Sequence, residues 1–188
     1  MKVFVAGPRA ISNLDKNVED KLNSIIKNNY TVLVGDANGI DKSVQQYFYN
    51  NNYKNVNVYA SQGKARNNIG NWIVQGVEVP KNVKGFDFYA AKDSAMAKNA
   101  DYGLMLWNGK SKGTLNNIIN LTKQNKRVLI YFTPHKDFYS INNLNTAEKL
   151  AAICGNETNN LFKELYKSNL NNSLDKNLEQ ISLFENDK

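Results

Sequence analysis

The stretch LMLWNGKSKGTLNN, residues 104–117, passes from an apolar strand into a helix. Gly109 and Gly113 stand between the two, where glycine permits backbone conformations with positive φ. Ser111 is predicted to cap the helix, with Thr114 in its first turn. Free backbone N–H groups at a helix start, together with the helix dipole, bind anions, so the small residues predict a place where a phosphate comes close. A plain turn with a capping serine is the alternative.

Four further segments share the short apolar character of this strand. The five predicted strands are Lys2–Ala6, Thr31–Val34, Val56–Ala60, Tyr102–Trp107 and Val128–Phe132. Between the strands, apolar residues recur at helical spacing. The order strand, helix, strand, helix, strand, loop, helix, strand, helix, strand predicts an α/β fold. We expect a doubly wound, mainly parallel, Rossmann-like sheet with helices on both faces.

The length of 188 residues suits one domain with additions. The sheet domain is predicted over residues 1–133, followed by a C-terminal helical extension over residues 134–167 with a break at Gly155. Residues 168–188 are rich in Asn, Ser and Lys, which predicts a loosely attached tail. The longest connection, Ser61–Gly85, is predicted to be a functional flap.

Composition narrows the classes of function. The net charge of +7 favours anionic partners such as nucleotides, phosphates or nucleic acid, although a solvated basic face also explains the lysines. One cysteine and one histidine are too few for a transition-metal site of the usual kind, and we expect no metal and no cofactor. No apolar run approaches about 18 residues, and the opening segment does not resemble a signal peptide. We therefore expect a cytoplasmic protein without membrane spans.

Two other strand ends carry similar loops. Gly7 and Arg9 in AGPRA follow the first strand, where the guanidinium could hold an anion by two parallel hydrogen bonds. Gly35 and Gly39 in VGDANGID follow the second strand, and Asp41 is expected to be the N-cap of the next helix. The carboxyl ends of parallel strands lie at one edge of a sheet, so these loops and the loop quoted first predict one cleft.

Together these segments resemble a known family. VFVAGPRA, LVGDANGIDKSVQQYF and KDSAMAKNADYGLMLWNGKSKGTLNNI are similar to the SLOG superfamily, a Rossmann-like group of bacterial and phage-related proteins. The group includes the lonely-guy phosphoribohydrolases, DNA-processing protein A and ligand-sensing modules of antiphage effectors. The resemblance spans residues 1–133. It implies a nucleotide-derived ligand whose phosphate or ribose is held by Gly109, Ser111, Gly113 and Thr114, and it implies a homo-oligomer.

The resemblance also bears on catalysis. In the lonely-guy enzymes the matching loop reads PGGxGTxxE, and its glutamate serves cleavage of the N-glycosidic bond. This chain has Asn117 there, and an amide cannot act as that carboxylate does. The deoxyribosyltransferases and deoxynucleotide N-hydrolases are structural relatives that need a carboxylate near the sugar, for which Asp93 is the candidate catalytic residue. A salt bridge between Asp93 and a neighbouring lysine is the alternative role for this residue. If the protein is an enzyme, these resemblances imply a nucleotide N-glycosidase.

The flap segment RNNIGNW adds two residues to the predicted site. Arg66 could supply a cation for a phosphate and Trp72 a flat surface for a base. Alternatively, the indole fills the core and the guanidinium turns to solvent. The residues predicted to bind the ligand are Gly7, Arg9, Gly35, Gly39, Arg66, Trp72, Asn108, Gly109, Ser111, Gly113, Thr114 and Asn117.

The tail carries a separate signal. Gln180, Leu183 and Phe184 in QISLF resemble the short peptide by which many bacterial proteins dock on the DNA sliding clamp. Apolar residues of the tail also repeat at helical spacing, so a last amphipathic helix is the alternative. Three functions thus stand side by side: a binder of a nucleotide-derived anion, an enzyme acting on the N-glycosidic bond, and a clamp-associated adaptor in DNA metabolism.

Overall fold

The computed structural model describes residues 1–168 and is built on one sheet. Within this range the strands are β1 (Lys2–Ala6), β2 (Thr31–Gly35), β3 (Val56–Ser61), β4 (Ile73–Val77), β5 (Tyr102–Trp107), β6 (Val128–Phe132) and β7 (Asp137–Ile141). Their spatial order is β4-β3-β2-β1-β5-β6-β7. All neighbours pair in parallel except β6 and β7, which are antiparallel. The predicted doubly wound, mainly parallel α/β fold is confirmed.

Helices cover both faces of this sheet. They are α1 (Lys16–Lys27), α2 (Ile40–Asn50), α3 (Gly85–Asn99), α4 (Lys112–Thr122), α5 (Leu144–Ile153) and, over residues 156–168, α6. Alternate residues of β1 belong to two layers: Val3 and Val5 pack in the cluster with α1 and α2, and Phe4 and Ala6 in the cluster with α3, α4 and α5. The two layers explain why the central strands are apolar on both faces.

The direction of winding reverses in the middle of the sheet. From β1 the chain steps outward through α1 to β2 and through α2 to β3, whereas from β5 it steps through α4 to β6 on the opposite side. β1 and β5 are direct neighbours, so their carboxyl ends flank the switch point. In open α/β sheets the crevice at this point is where ligands bind.

All five predicted strands are present, and two further strands were not predicted. β4 lies inside the segment Ser61–Gly85, so the predicted flap contains regular structure. It is an edge strand in which Ile73 is 68% exposed. Its residues do not alternate between buried and exposed, so the hydrophobic pattern of the sequence gives no strand signal there. β7 is the strand at the opposite edge of the sheet, and most of its residues are at least partly exposed because no further strand covers that edge.

Elements within residues 134–168 pack against the same sheet. β7 pairs with β6, and Ala147 and Leu150 of α5 are buried in the core cluster on the α4 face. Gly155, with φ of 110°, separates α5 from α6 at the predicted break. β7, the last strand of the sheet, therefore follows the domain boundary that was predicted after residue 133.

The predicted clamp-binding peptide with Gln180, Leu183 and Phe184 lies outside the described residues. Within residues 1–168, no helix combines the length and apolarity that crossing a bilayer requires.

Candidate functional site

A cavity of about 570 Å³ opens at the carboxyl ends of β1, β2 and β5. We call it the switch-point cavity, because it lies where the winding of the sheet reverses. Ala6 at the end of β1, Ala37 after β2 and Asn108 after β5 contribute to its lining, and its walls are α3 and the first turns of α4. A space of this size suits a small organic ligand.

The cavity brings together many of the residues predicted from the sequence, but not all of them. Those that line it are Gly7, Arg9, Asp93, Asn108, Ser111, Gly113, Thr114 and Asn117. Those that lie outside its lining are Gly35, Gly39, Arg66, Trp72 and Gly109.

Short hydrogen bonds shape the turn from β5 into α4. Asn108 Oδ1 accepts from the Ser111 backbone N–H at 2.9 Å. Ser111 Oγ caps the helix by accepting from the Thr114 hydroxyl at 3.0 Å and from the Thr114 backbone N–H at 3.4 Å. The backbone N–H groups of Lys112 and Gly113 have no hydrogen-bond partner within residues 1–168. The first turn of α4 therefore offers two free donors and the positive end of the helix dipole.

The two glycines of this turn have different tasks. Gly109 has a positive φ of 77°, packs against the Cys154 thiol and accepts a hydrogen bond from the Thr158 hydroxyl at 2.8 Å, so it ties the turn to α6. Gly113 does not use the positive φ that glycine permits, because it already belongs to the first turn of α4. Among residues 1–168, apart from the adjacent residues and the nearby backbone of α4 itself, no atom lies within 4 Å of where a Gly113 Cβ would stand. Packing thus gives no reason for glycine at this position.

Two other glycines join the loops after β1 and β2. A Cβ on Gly7 would lie 2.8 Å from the Ile40 side chain, and a Cβ on Gly39 would collide with the backbone of Arg9. Gly39 also has φ of 78°, which favours glycine. Both therefore serve close packing, and Gly39 supports the Arg9 backbone from outside the cavity.

Tyr89 of α3 lines the cavity and lies beside two guanidinium groups, of which that of Arg9 belongs to the lining and that of Arg66 does not. The guanidinium carbon of Arg9 is 4.7 Å from the centre of the tyrosine ring, and that of Arg66 is 4.6 Å away. Arg66 is also held by Asp36, with Nη2 2.7 Å from Oδ1 and Nε 2.9 Å from Oδ2. Arg9 has no carboxylate partner in the described part of the chain. Arg9 is therefore the guanidinium that can pair with an anion in the cavity.

A buried cluster of charges lies beside the cavity and centres on Lys92 of α3, which is 4% exposed. Its Nζ is 2.6 Å from Asp93 Oδ1 and 4.0 Å from Asp36 Oδ1. Asp41 is also buried, and its carboxylate accepts from the Ala37 backbone N–H at 3.2 Å. A Cβ on Gly35 would collide with both the Lys92 ammonium and the Asp41 carboxylate, so Gly35 makes room for the cluster.

The groups of this cluster shift one another's pKa. Burial raises the pKa of Asp41 to about 6, with Lys92 opposing the shift and Asp93 adding to it. Burial alone would lower the pKa of Lys92, but the carboxylates of Asp93, Asp41 and Asp36 outweigh it and the pKa is raised. Burial likewise opposes ionisation of Asp36, yet the hydrogen bonds from Arg66 leave its pKa lowered. Asp41 is therefore the member of the cluster that changes charge near neutral pH.

Asp41 and Asp93 are the two aspartates for which the sequence predicted a role. The expected capping by Asp41 is wrong, because Gly39 is the N-cap of α2 and Asp41 lies inside the first turn. Asp93 lines the cavity and is also paired with Lys92; the lysine side chain is buried, whereas the Asp93 side chain is 16% exposed.

Trp72 packs away from the cavity. It is 8% exposed, belongs to the core cluster of the α1 face, and donates from Nε1 to the Tyr53 carbonyl at 3.1 Å. The indole therefore fills the core, as the alternative interpretation of RNNIGNW had it.

Lys92 and Asp36 were not among the predicted site residues. A signal for Lys92 was present, since it stands four residues before the buried Met96 and so on the same face of α3. No comparable signal exists for Asp36, whose place depends on the ion pair with Arg66. In residues 1–168 no group of three or more His, Cys, Asp or Glu side chains is arranged to hold a metal ion.

The fold and the cavity define a Rossmann-like α/β protein. It is similar to the solved structure of DNA processing protein A from Helicobacter pylori, with a TM-score of 0.51 and 14% sequence identity. The match covers 69% of this chain and 64% of that one, so the chain spans less than two thirds of that protein's length. That structure describes a mode of single-stranded DNA binding. No protein-family model and no curated protein matches the chain. At this identity the likeness shows the fold alone.

Proposed function

We propose that the protein binds a nucleotide-derived anionic ligand in the switch-point cavity, with its phosphate at the first turn of α4. The observation that carries the proposal is the first turn of α4, where Gly113 lines the cavity of about 570 Å³ and its backbone N–H has no hydrogen-bond partner in the described residues. Arg9 supplies a guanidinium on the same cavity. The resemblance of this loop to SLOG proteins supports the same assignment.

The charges around the cavity favour an anion. The cations lining it are Arg9, Lys92 and Lys110, and the carboxylates are Asp41 and Asp93. Lys92 and Asp93 neutralise each other at 2.6 Å, and Asp41 is partly protonated near its raised pKa of about 6. Arg9 and Lys110 are exposed and remain available to a ligand.

Gly113→Ala tests the proposal without harming the fold. The added methyl group stands where the phosphate would approach, while alanine favours a helix over glycine by roughly 1 kcal/mol. We expect wild-type protein to bind at least one of AMP, ADP-ribose and a cyclic dinucleotide in calorimetric titration. We expect Gly113→Ala to weaken that binding by about tenfold, which corresponds to about 1.4 kcal/mol.

The matched control is Asn145→Ala, the second residue of α5 as Gly113 is of α4. It changes helix propensity outside the cavity, so the affinity should stay at the wild-type value. Since the neighbour of similar fold is described with single-stranded DNA, an oligonucleotide is titrated in parallel. If none of the nucleotides binds at about 1 mM, where even weak affinity of about −4 kcal/mol shows, the proposal fails.

An N-glycosidase or deoxyribosyltransferase is the second candidate, because the Asp93 carboxylate lines the same cavity and is 16% exposed. The experiment is incubation with nucleoside monophosphates and detection of free base. Asp93→Asn should abolish the product, whereas Asp87→Asn on an exposed position of the same helix should not. A wild-type protein that releases no base above the blank excludes this candidate.

A further inference from the structure

α3 carries apolar side chains on more than one side. A surface helix of a layered fold is apolar on the side that it buries and polar on the other. α3 instead buries Lys92 together with Met96 and Ala97. Its partly exposed residues include Phe86, Phe88, Tyr89, Ala90, Ala91 and Ala95. Apolar residues on several sides of a helix indicate that more than one side is covered.

A groove of about 170 Å³ runs along one side of α3, beside α4 and α6. The residues of α3 that line it are Phe86, Asp87, Ala90, Ala91 and Ser94. They recur at intervals of three or four residues and therefore share one side of the helix. The groove is also lined by Leu165 and by Ser168, the last residue that the structure describes. Residues 169–188 thus follow directly from a residue of this groove.

The sequence of residues 169–188 contains an apolar side that matches the groove. After the mostly polar link NLNNS, the apolar residues Leu174, Leu178 and Ile181 recur at intervals of four and three, which places them on one side of a helix. Over such a helix they extend about 11 Å, at 1.5 Å per residue. The groove residues from Phe86 to Ser94 extend about 12 Å on the same basis.

The charge of this segment also favours contact with the rest of the chain. Residues 169–188 contain four acidic residues and two lysines, whereas the whole chain has a net charge of +7. Opposite net charges attract the segment to the described part of the chain. A cation stands beside the groove, because Nζ of Lys112 is 4.7 Å from the centre of the Phe86 ring.

We propose that residues 169–188 fold back on α3 and place Leu174, Leu178 and Ile181 in the groove. Docking removes these side chains and the outer apolar surface of α3 from water together. The proposal does not depend on the ligand proposed for the switch-point cavity. Ile181 lies within QISLF, so docking would compete with any binding of this peptide to a sliding clamp.

Thiol labelling of the full chain tests whether the segment covers the groove. Cys154 is first replaced by serine, so that one introduced cysteine reacts. Ser94→Cys changes a single atom at an exposed position in the groove. Ser24→Cys makes the same change at an exposed position of α1, on the other face of the sheet. The rate of reaction with a chromogenic disulfide reagent is measured for both.

The decisive comparison is made at position 94, with and without changes in the segment. We expect Leu174→Asp together with Leu178→Asp to raise the labelling rate of Ser94→Cys about tenfold, because two buried charges open the groove. The rate of Ser24→Cys should not change. Asn171→Asp together with Asn172→Asp adds the same two charges at polar positions and should leave the slow labelling of Ser94→Cys as it is.

The remaining outcomes refute the proposal. If the two leucine substitutions leave the labelling rate of Ser94→Cys unchanged, residues 169–188 do not cover the groove. If the labelling of Ser94→Cys slows as the protein concentration rises, a second copy of the chain covers it instead. If the leucine substitutions raise the rate of Ser24→Cys by the same factor, they loosen the whole fold and not one docked segment.

Discussion

Replacing the buried carboxyl group of Asp41 should make the protein more stable at alkaline pH. Asp41 is buried beside Lys92, Asp93 and Asp36, and burial raises its pKa from 3.8 to about 6. The folded state therefore binds the proton of this group more tightly than the unfolded chain does. The free energy of unfolding falls as the pH rises through the interval between these two values, and the loss is complete above about pH 6.

The magnitude follows from the shift. Each pKa unit corresponds to about 1.4 kcal/mol, so a rise from 3.8 to about 6 makes the ionised carboxylate cost the folded state about 3 kcal/mol. Asparagine resembles the protonated form, because it has no charge and keeps an oxygen for the Ala37 N–H now bonded at 3.2 Å. We expect Asp41→Asn to exceed wild-type stability by up to about 3 kcal/mol at pH of about 8 and to match it at pH of about 4.

Urea unfolding followed by tryptophan fluorescence at both pH values is the assay, since Trp72 and Trp107 are buried. Asp87→Asn is the control, because it removes the same charge from an exposed position on α3 and should shift stability by less than about 0.5 kcal/mol. If Asp41→Asn is less stable than wild type by a similar amount at both pH values, the contact of the carboxylate with Lys92 outweighs the cost of burial, and the reasoning is refuted.

Three further outcomes are expected. Asn117→Leu should raise the free energy of unfolding by about 1 kcal/mol in urea denaturation, because it removes an unpaired buried acceptor; a decrease would contradict that. Gly39→Ala should lower it by about 2 kcal/mol or more, since φ of 78° and the Arg9 backbone leave no room for a Cβ, and thermal unfolding unchanged from wild type would contradict the packing argument. Deletion of residues 180–184 should abolish retention on immobilised sliding clamp; retention equal to that of the full chain would remove the clamp hypothesis.

The fold was predictable from the sequence wherever buried strands produce a run of apolar residues. β1, β2, β3, β5 and β6 are covered on both faces, so they are mostly apolar and stand out between amphipathic helices. β4 and β7 are edge strands with exposed residues such as Ile73, and their hydrogen bonds to β3 and β6 are not encoded in any local pattern. Edge strands are thus the part of this sheet that periodicity could not reveal.

The candidate site was predictable in its loops but not in its ion pairs. Gly7, Arg9 and Ser111 follow strand ends, and the parallel sheet brings strand ends together whatever the details of packing. The pairs Arg66 with Asp36 and Lys92 with Asp93 depend instead on how a long connection and α3 pack over the sheet. Arg66 was therefore predicted as a ligand-binding cation, although the structure commits its guanidinium to Asp36 at 2.7 Å.

The glycines around the switch-point cavity differ in whether packing within the protein explains them. Gly7, Gly35 and Gly39 each have a reason within the protein, because a Cβ would collide with Ile40, with the buried charges or with a neighbouring backbone. Gly113 has helical geometry and open space in front of it among the described residues, yet it costs the helix roughly 1 kcal/mol relative to alanine. Neither backbone strain nor packing offsets that cost. The ligand that we propose at the first turn of α4 accounts for glycine at this position, and on that proposal Gly113→Ala is expected to raise stability and weaken binding together.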